Sequence, residues 1–133
     1  MLDTNAVVAL LRDQPPTVRE RYREAHASGD YVAVSSVVLF ELWYGVSKSQ
    51  RVQENTERLN VFLSGGIDVL GFDDRDAKSA GEVRATLEGA GTPIGAYDLM
   101  IAGQALRREL TVVTANTSEF ARIAGLRWED WTQ

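Results

Sequence analysis

The sequence contains no cysteine and a single histidine, His26, among its 133 residues. The first absence excludes disulfide scaffolds, zinc ribbons and thiol nucleophiles together, and it fits the reducing cytoplasm, the expected location. Any metal must then be held by oxygen ligands. The lone histidine lies in the polar stretch Arg19 to Ser28, far from every acidic motif, so it reads as a solvated surface residue and not as a general base. Long apolar runs are missing too. Stretches such as Ala6 to Leu11 or Val37 to Phe40 fall far short of the roughly 18 residues of a membrane span, and no basic segment with an apolar core opens the chain. There are three prolines, no internal repeat and no Pro/Gly-rich linker, so one domain over residues 1–133 is expected. With 44% hydrophobic and 25% charged residues the chain has a globular composition, which excludes disorder or a coiled coil as its architecture. Positive charge is in deficit as well: the net charge is −5, opposite in sign to a nonspecific nucleic-acid binder.

What is present alternates short β-branched runs with helical periodicity. Tyr31–Val34, Ile67–Leu70 and Leu110–Val113 are too brief for helices and are flanked by turn or cap residues, so each reads as a buried strand. Ala77, Ala80, Val83 and Leu87 repeat at helical spacing behind the acidic cap cluster Asp73, Asp74 and Asp76, and the stretch stops at Gly89–Pro93. Val52, Thr56, Leu59 and Phe62 mark a second helix that ends at Gly65-Gly66. Ser35-Ser36 can cap a third, carrying Phe40 to Tyr44, and Leu99, Ala102, Leu106 and Leu110 suggest a fourth that feeds directly into a strand. Strands separated by helices imply an α/β fold with a parallel sheet covered on both faces. In such sheets sites form at the carboxyl ends of the strands.

Four carboxylates fall at those ends. Asp3 follows Met1-Leu2, the remnant of a first strand, where it can also serve as a helix N-cap. Glu41 stands within Val37–Tyr44 among large apolar neighbours, either as a buried carboxylate needing compensation or on the polar face of an amphipathic helix. Asp98 opens the apolar run Leu99–Ala102, again with capping as the competing role. Glu119 follows the strand around Val113 and has capping-box spacing with Asn116. Jointly they can face one sheet edge. Crowded carboxylates need protons, basic partners or divalent cations to persist, and oxygen-only ligands favour Mg²⁺ or Mn²⁺. Such ions activate water against a phosphodiester, so the implied chemistry is phosphodiester hydrolysis. Setting these four acids aside leaves 15 acidic against 14 basic residues, so the excess acidity is about one site's worth.

Met1–Asn5, Ser35-Ser36-Val37 with Phe40–Gly45, Gly95–Ala102, Val113–Asn116 with Glu119-Phe120, and the closing Gly125–Trp131 together resemble the PIN-domain VapC toxins nearly end to end. The resemblance implies a three-layer α/β/α sandwich with a mainly parallel central sheet. It also implies a Mg²⁺- or Mn²⁺-dependent endoribonuclease, the toxin half of a type II toxin–antitoxin pair, homodimeric and inhibited by a VapB-type antitoxin. By motif position Asp3, Glu41 and Asp98 take the characteristic acidic places, Asp3 and Asp98 as the foremost metal ligands. Glu119 takes the fourth, variable place, where many relatives carry Asp. Asn5, Thr114 and Asn116 match polar positions that steady ligands. Ala115 stands where Asn is common. Relatives have several residues before Asp-Thr-Asn, which leaves open residues upstream of Met1. The sequence is similar to the branch that cuts initiator tRNA in the anticodon loop.

Individual basic side chains, among them Arg19, Arg21, Arg23, Lys48, Arg51, Arg107 and Arg108, read as solvated charge before RNA contacts. Trp43, Tyr44, Trp128 and Trp131 read as core or subunit contacts before base-stacking platforms. The competing functional class is a noncatalytic PIN-fold module that docks a basic partner peptide in its acidic groove. An aspartyl-phosphate phosphatase ranks last, because Asp3-Thr4-Asn5 has an amide where Asp-x-Asp is usual.

Overall fold

The computed structural model describes residues 1–133. The chain folds as α1 (Thr4–Arg12), α2 (Pro16–Ala27), β1 (Ala33–Ser35), α3 (Ser36–Ser47), α4 (Val52–Leu63), β2 (Asp68–Leu70), α5 (Asp74–Gly89), α6 (Ala96–Arg107), β3 (Val112–Val113), α7 (Thr117–Phe120) and β4 (Trp128–Glu129). Leu2 bridges in parallel to Val34 on one side and Val113 on the other. With the parallel pairs β1–β2 and β3–β4, this gives one sheet in the order β2-β1-Leu2-β3-β4.

Leu2 therefore lies at the centre of the sheet. The Leu2 N–H donates to Ala33 O at 2.9 Å and the Asp3 N–H to Val113 O at 3.0 Å, while the Val113 N–H donates to Met1 O at 2.8 Å. Leu2 is fully buried, and its parallel pairing with Val34 and Val113 sets the chain's direction and delivers Asp3 to the carboxyl edge. The strand order reverses at Leu2, since β1 and β2 lie to one side and β3 and β4 to the other. Right-handed crossovers in the two directions place their helices on opposite faces. The main helix contacts largely follow suit: α1 packs with α2, α3 and α4, and α5 packs with α6, which in turn meets α7; α3 also meets α6, joining the two sets. The result is the expected three-layer α/β/α sandwich, around a continuous cluster of 23 buried hydrophobic residues.

Several details depart from the sequence-based expectations. β2 is not a buried strand, because Asp68 and Val69 are exposed at the sheet's edge. α6 does not run directly into β3: it ends at Arg107, and Glu109 turns the chain with φ 57° before the strand starts at Val112. β4 was not anticipated. His26 is half-buried, not solvated, with its ring edge-to-face on Tyr22 at 4.5 Å between centroids. Of the aromatic residues assigned to core or subunit contacts, Trp131 is buried, whereas Tyr44 and Trp128 are exposed.

The α5–α6 layer is fastened at two points. Asp73 and Asp76 form a reciprocal capping box at the start of α5. Asp76, fully buried, also accepts from Arg107 Nε at 2.8 Å and from an Arg108 terminal nitrogen at 2.9 Å. Burial alone would raise its pKa, but the Arg108 hydrogen bond, the Asp73 backbone N–H and Arg107 outweigh burial and hold it down at about 2. The anionic start of α5 thus meets the cationic end of α6, complementary to both helix dipoles. Further along, the two helices touch at Gly103. A Cβ there would lie 2.5 Å from the Ala80 backbone, and the Ser79 hydroxyl donates to Gly103 O at 2.7 Å.

Gly103→Ala should therefore force the helices apart and cost about 2 kcal/mol or more in urea unfolding, the range of an overpacked core. Gly81→Ala, in the same layer but with open space around it, should instead stabilise by about 0.4–1 kcal/mol. Equal effects from the two substitutions would contradict the close crossing.

Candidate active site

Asp3 caps α1, its Oδ1 accepting the Ala6 N–H at 2.8 Å, so the capping and site roles fall on one side chain. It is 4% exposed. Burial raises its pKa; hydrogen bonds from Thr114 and the Ala6 N–H pull the other way, and the charges of Glu41 and Asp130 add to the rise. Thr114 is buried at the end of β3, and its hydroxyl oxygen accepts the Asn116 N–H at 2.9 Å. Glu41, half-buried on α3, accepts a 2.7 Å hydrogen bond from the Thr4 hydroxyl. That bond joins the chain segment after Leu2 to the helix after β1.

Asp98 occupies the first turn of α6 and is not its cap; Gly95 is. The cap is supplied from elsewhere. The Gly95 N–H donates to Glu119 Oε1 at 3.0 Å, so a carboxylate on α7 satisfies the free amide at the start of α6. The anticipated capping box between Asn116 and Glu119 does not form. The Asn116 side-chain amide instead donates to Asp98 Oδ2 at 2.9 Å and to Glu119 Oε2. One amide with two hydrogens thus holds two carboxylates side by side.

The four acids consequently form a chain of neighbours, Glu41 to Asp3 to Asp98 to Glu119, each acting electrostatically on the next. No three of them close into a ligand cage as they stand. All ten ion pairs lie elsewhere in the molecule. Burial, and then Glu119 beside it, push Asp98 up to about 7, whereas Glu119 is lowered, chiefly by its hydrogen bond with Asp98 and also by the Gly95 N–H, Asn116 and the field of Arg122. Below neutrality the pair therefore holds a proton in common. An all-oxygen, anionic set lacking ion pairs suits a hard divalent cation, which would take the place of that proton.

Asn5 is not brought in. It is exposed in α1 and makes no side-chain hydrogen bond. Sequence reasoning missed Thr4 and the Gly95 backbone amide. The hydroxyl beside Asp3 was a visible signal, but a glycine N–H leaves none.

A carboxyl group whose pKa is higher in the folded than in the unfolded chain binds more protons when folded, so stability declines as pH rises through that window. For the metal-free chain, Asp98 should contribute a decline between about pH 4 and pH 7. Asp98→Asn should therefore melt higher than the parent at pH 8 and show no such advantage at pH 4. Melting curves that stay parallel across this range would contradict the strained pair.

Residues 1–126 match the PIN domain family. The chain is 44% identical over 132 residues to the tRNA(fMet)-specific endonuclease VapC of Shigella flexneri, covering 99% of this chain and 97% of that protein. It is 42% identical over 131 residues to the protein of the same name from Salmonella typhimurium, covering 98% and 96%. In structure it is similar to VapBC2 of Rickettsia felis bound to a DNA fragment from its promoter, with a TM-score of 0.91 and 38% identity over 98% of this chain and 97% of that one. Near-complete coverage in both directions, together with the acidic edge at the reversal point of a parallel sheet, leads to one assignment: this chain belongs to the PIN-domain family, in its VapC ribonuclease branch.

Proposed function

We propose that this chain is a single PIN domain, residues 1–133, that hydrolyses RNA phosphodiesters as the toxin component of a type II toxin–antitoxin system. The observation that carries this reading is the row of buried and half-buried carboxylates free of ion pairs at the sheet's reversal point. PIN-domain VapC nucleases are metal-dependent, and hard oxygen donors favour Mg²⁺ or Mn²⁺ here. The names of the Shigella and Salmonella relatives support initiator tRNA as the substrate class. The Rickettsia complex supports a VapB-type antitoxin as partner, its basic segment drawn to the acidic groove. A homodimer is supported by the exposed Phe40–Tyr97 pair, 5.8 Å between centroids, beside Glu41 and Asp98. No helix is long and apolar enough to cross a membrane, and the absence of cysteine suits the cytoplasm.

Asp3 and Asp98 are the residues that would hold the ion, with Glu41 and Glu119 flanking them. A bound divalent cation supplies Lewis-acid chemistry, lowering the pKa of water and neutralising charge on the reacting phosphate. The chain's own groups set the geometry. The Ala6 N–H fixes the Asp3 carboxylate, Thr4 fixes Glu41, and Asn116 orients Asp98 against Glu119. Glu119, in bracing Gly95, holds the first turn of α6 and hence the main chain that carries Asp98. Neither histidine nor lysine is hydrogen-bonded to the four carboxylates, so proton transfer on the protein side falls to them.

Purified chain should cut initiator tRNA with Mg²⁺ or Mn²⁺, lose activity in EDTA, and be inactive as Asp3→Asn or Asp98→Asn while still folded by circular dichroism. Cleavage that survives both EDTA and Asp98→Asn would sink the proposal. Asn116→Ala, which frees both carboxylates from their shared amide, should weaken Mn²⁺ binding about 10–100-fold, the usual cost of losing a group that orients a ligand. Calorimetry with Mn²⁺ measures this, and unchanged affinity would remove Asn116 from the site.

A further inference from the structure

The chain has 14 basic side chains, and seven of them, Arg19, Arg21, Arg51, Lys78, Arg84, Arg107 and Arg108, are paired with a carboxylate within 4 Å. Of the seven left unpaired, three border one cleft. Arg12 at the end of α1, Lys48 at the end of α3 and Arg58 on α4 line a recess of about 310 Å³ together with Thr4, Glu41 and Asn55. All three cations are exposed. Glu41 is the only carboxylate on its lining, so the cleft carries a local charge of +2 within a protein of −5. Its inner end is the Thr4–Glu41 hydrogen bond, which belongs to the acidic site.

We propose that this cleft is a phosphate-binding track for the RNA strand, seating one or two backbone phosphates next to the cut site. The inference rests on the nuclease reading and adds to it a location for the substrate. A protein with excess negative charge repels a polyanion at long range, so binding must come from a concentrated local patch. The unpaired cations meet that need. None of the three would break an ion pair to bond phosphate: Lys48 lies over the Tyr44 ring at 4.7 Å and Arg58 donates to the Leu11 carbonyl, while the Asn55 amide donates one hydrogen to Ser49 Oγ at 3.0 Å and has its second left for the same lining. The size also fits: 310 Å³ is at the small end of the roughly 300–1,000 Å³ of ligand clefts, enough for a stretch of backbone and too little for a folded RNA. The lining reaches Glu41 without interruption, so phosphate held there continues into the acidic edge.

The test measures binding of an RNA stem-loop to full-length Asp98→Asn in Mg²⁺, with and without Arg12→Gln, Lys48→Gln and Arg58→Gln together. The triple substitution should weaken binding roughly tenfold and make log K against log [salt] shallower by about 0.7–1.4, one or two phosphates at about 0.7 each. In the otherwise wild-type chain it should raise KM and leave kcat within about twofold. Arg75→Gln, an exposed and unpaired arginine on α5 outside the cleft, should change neither quantity. Arg58 donates to the Leu11 carbonyl, so a charge-preserving set, Arg12→Lys with Arg58→Lys, guards against misfolding and should bind RNA like the parent. An unchanged affinity and salt slope in a folded triple variant, while the wild-type chain still cuts RNA, would overturn the track. So would a triple variant that loses binding of an acidic peptide and retains RNA. If the wild-type chain cuts nothing but the triple substitution still lowers RNA affinity, the nuclease reading fails and the track stands.

Discussion

Electrostatic repulsion among carboxylates that have been taken partly out of water is the constraint around which this molecule is arranged. Leu2 can lie at the centre of the sheet because its neighbours on both sides bond the chain from Met1 to Asp3, and that placement commits Asp3 to a buried position. Glu41 and Asp98 arrive at the same edge on helices that follow or cross the reversal point. Nothing in the fold requires charge there. An apolar residue at Asp98 would remove the repulsion, and a cap of another kind could replace Asp3. The cost of gathering the anions is spread over donors that hold them in place: a helix amide for Asp3, a hydroxyl for Glu41 and one shared amide for Asp98 and Glu119.

The same chain shows what a structural buried aspartate looks like. Asp76 is fully buried, but two arginines and a backbone N–H surround it, and its pKa lies near 2. Asp3 and Asp98 have no such pairing, and both are displaced upward. The contrast separates two uses of one residue type. At Asp76 the field is neutralised internally and ties α5 to α6; at the acidic edge it is left open, in a form that a cation from solution can complete.

Much of this arrangement was legible in the sequence because it rests on local chemistry. The capping cluster at Asp73–Asp76 marked the start of α5, Ser35 marked that of α3, and β-branched runs located three strands. Asp3, Thr114 and Asn116 stood at strand ends, where the parallel-sheet rule collects sites. What remained hidden depended on tertiary pairing. β4 is two residues long and exists only because Val112 and Val113 offer it an edge. β2 looked like a core strand from its Ile67–Leu70 composition, but the sheet's order leaves it outermost. Asn116 and Glu119 had the spacing of a local capping box, and a partner distant in sequence won the competition: Gly95 takes the carboxylate and Asp98 takes the amide. Spacing alone could not foresee this, since the rival acceptor and donor lie about twenty positions away.

Net charge gave a misleading first impression of partner chemistry for a related reason. A total of −5 argues against RNA only if charge is spread evenly, and here it is sorted. Half of the cations are already engaged with carboxylates, the anions without ion pairs include four at one edge, and three cations without ion pairs border the recess that opens from Glu41. Bare phosphate is repelled by the acidic edge and attracted by the recess beside it. The two patches are therefore complementary rather than opposed: the basic one tethers the polyanion, while the acidic one stays open to the cation that makes close approach of phosphate possible. A uniformly basic surface would bind RNA more tightly but would neutralise the carboxylates from within, as happens at Asp76, and so deprive the edge of its affinity for metal.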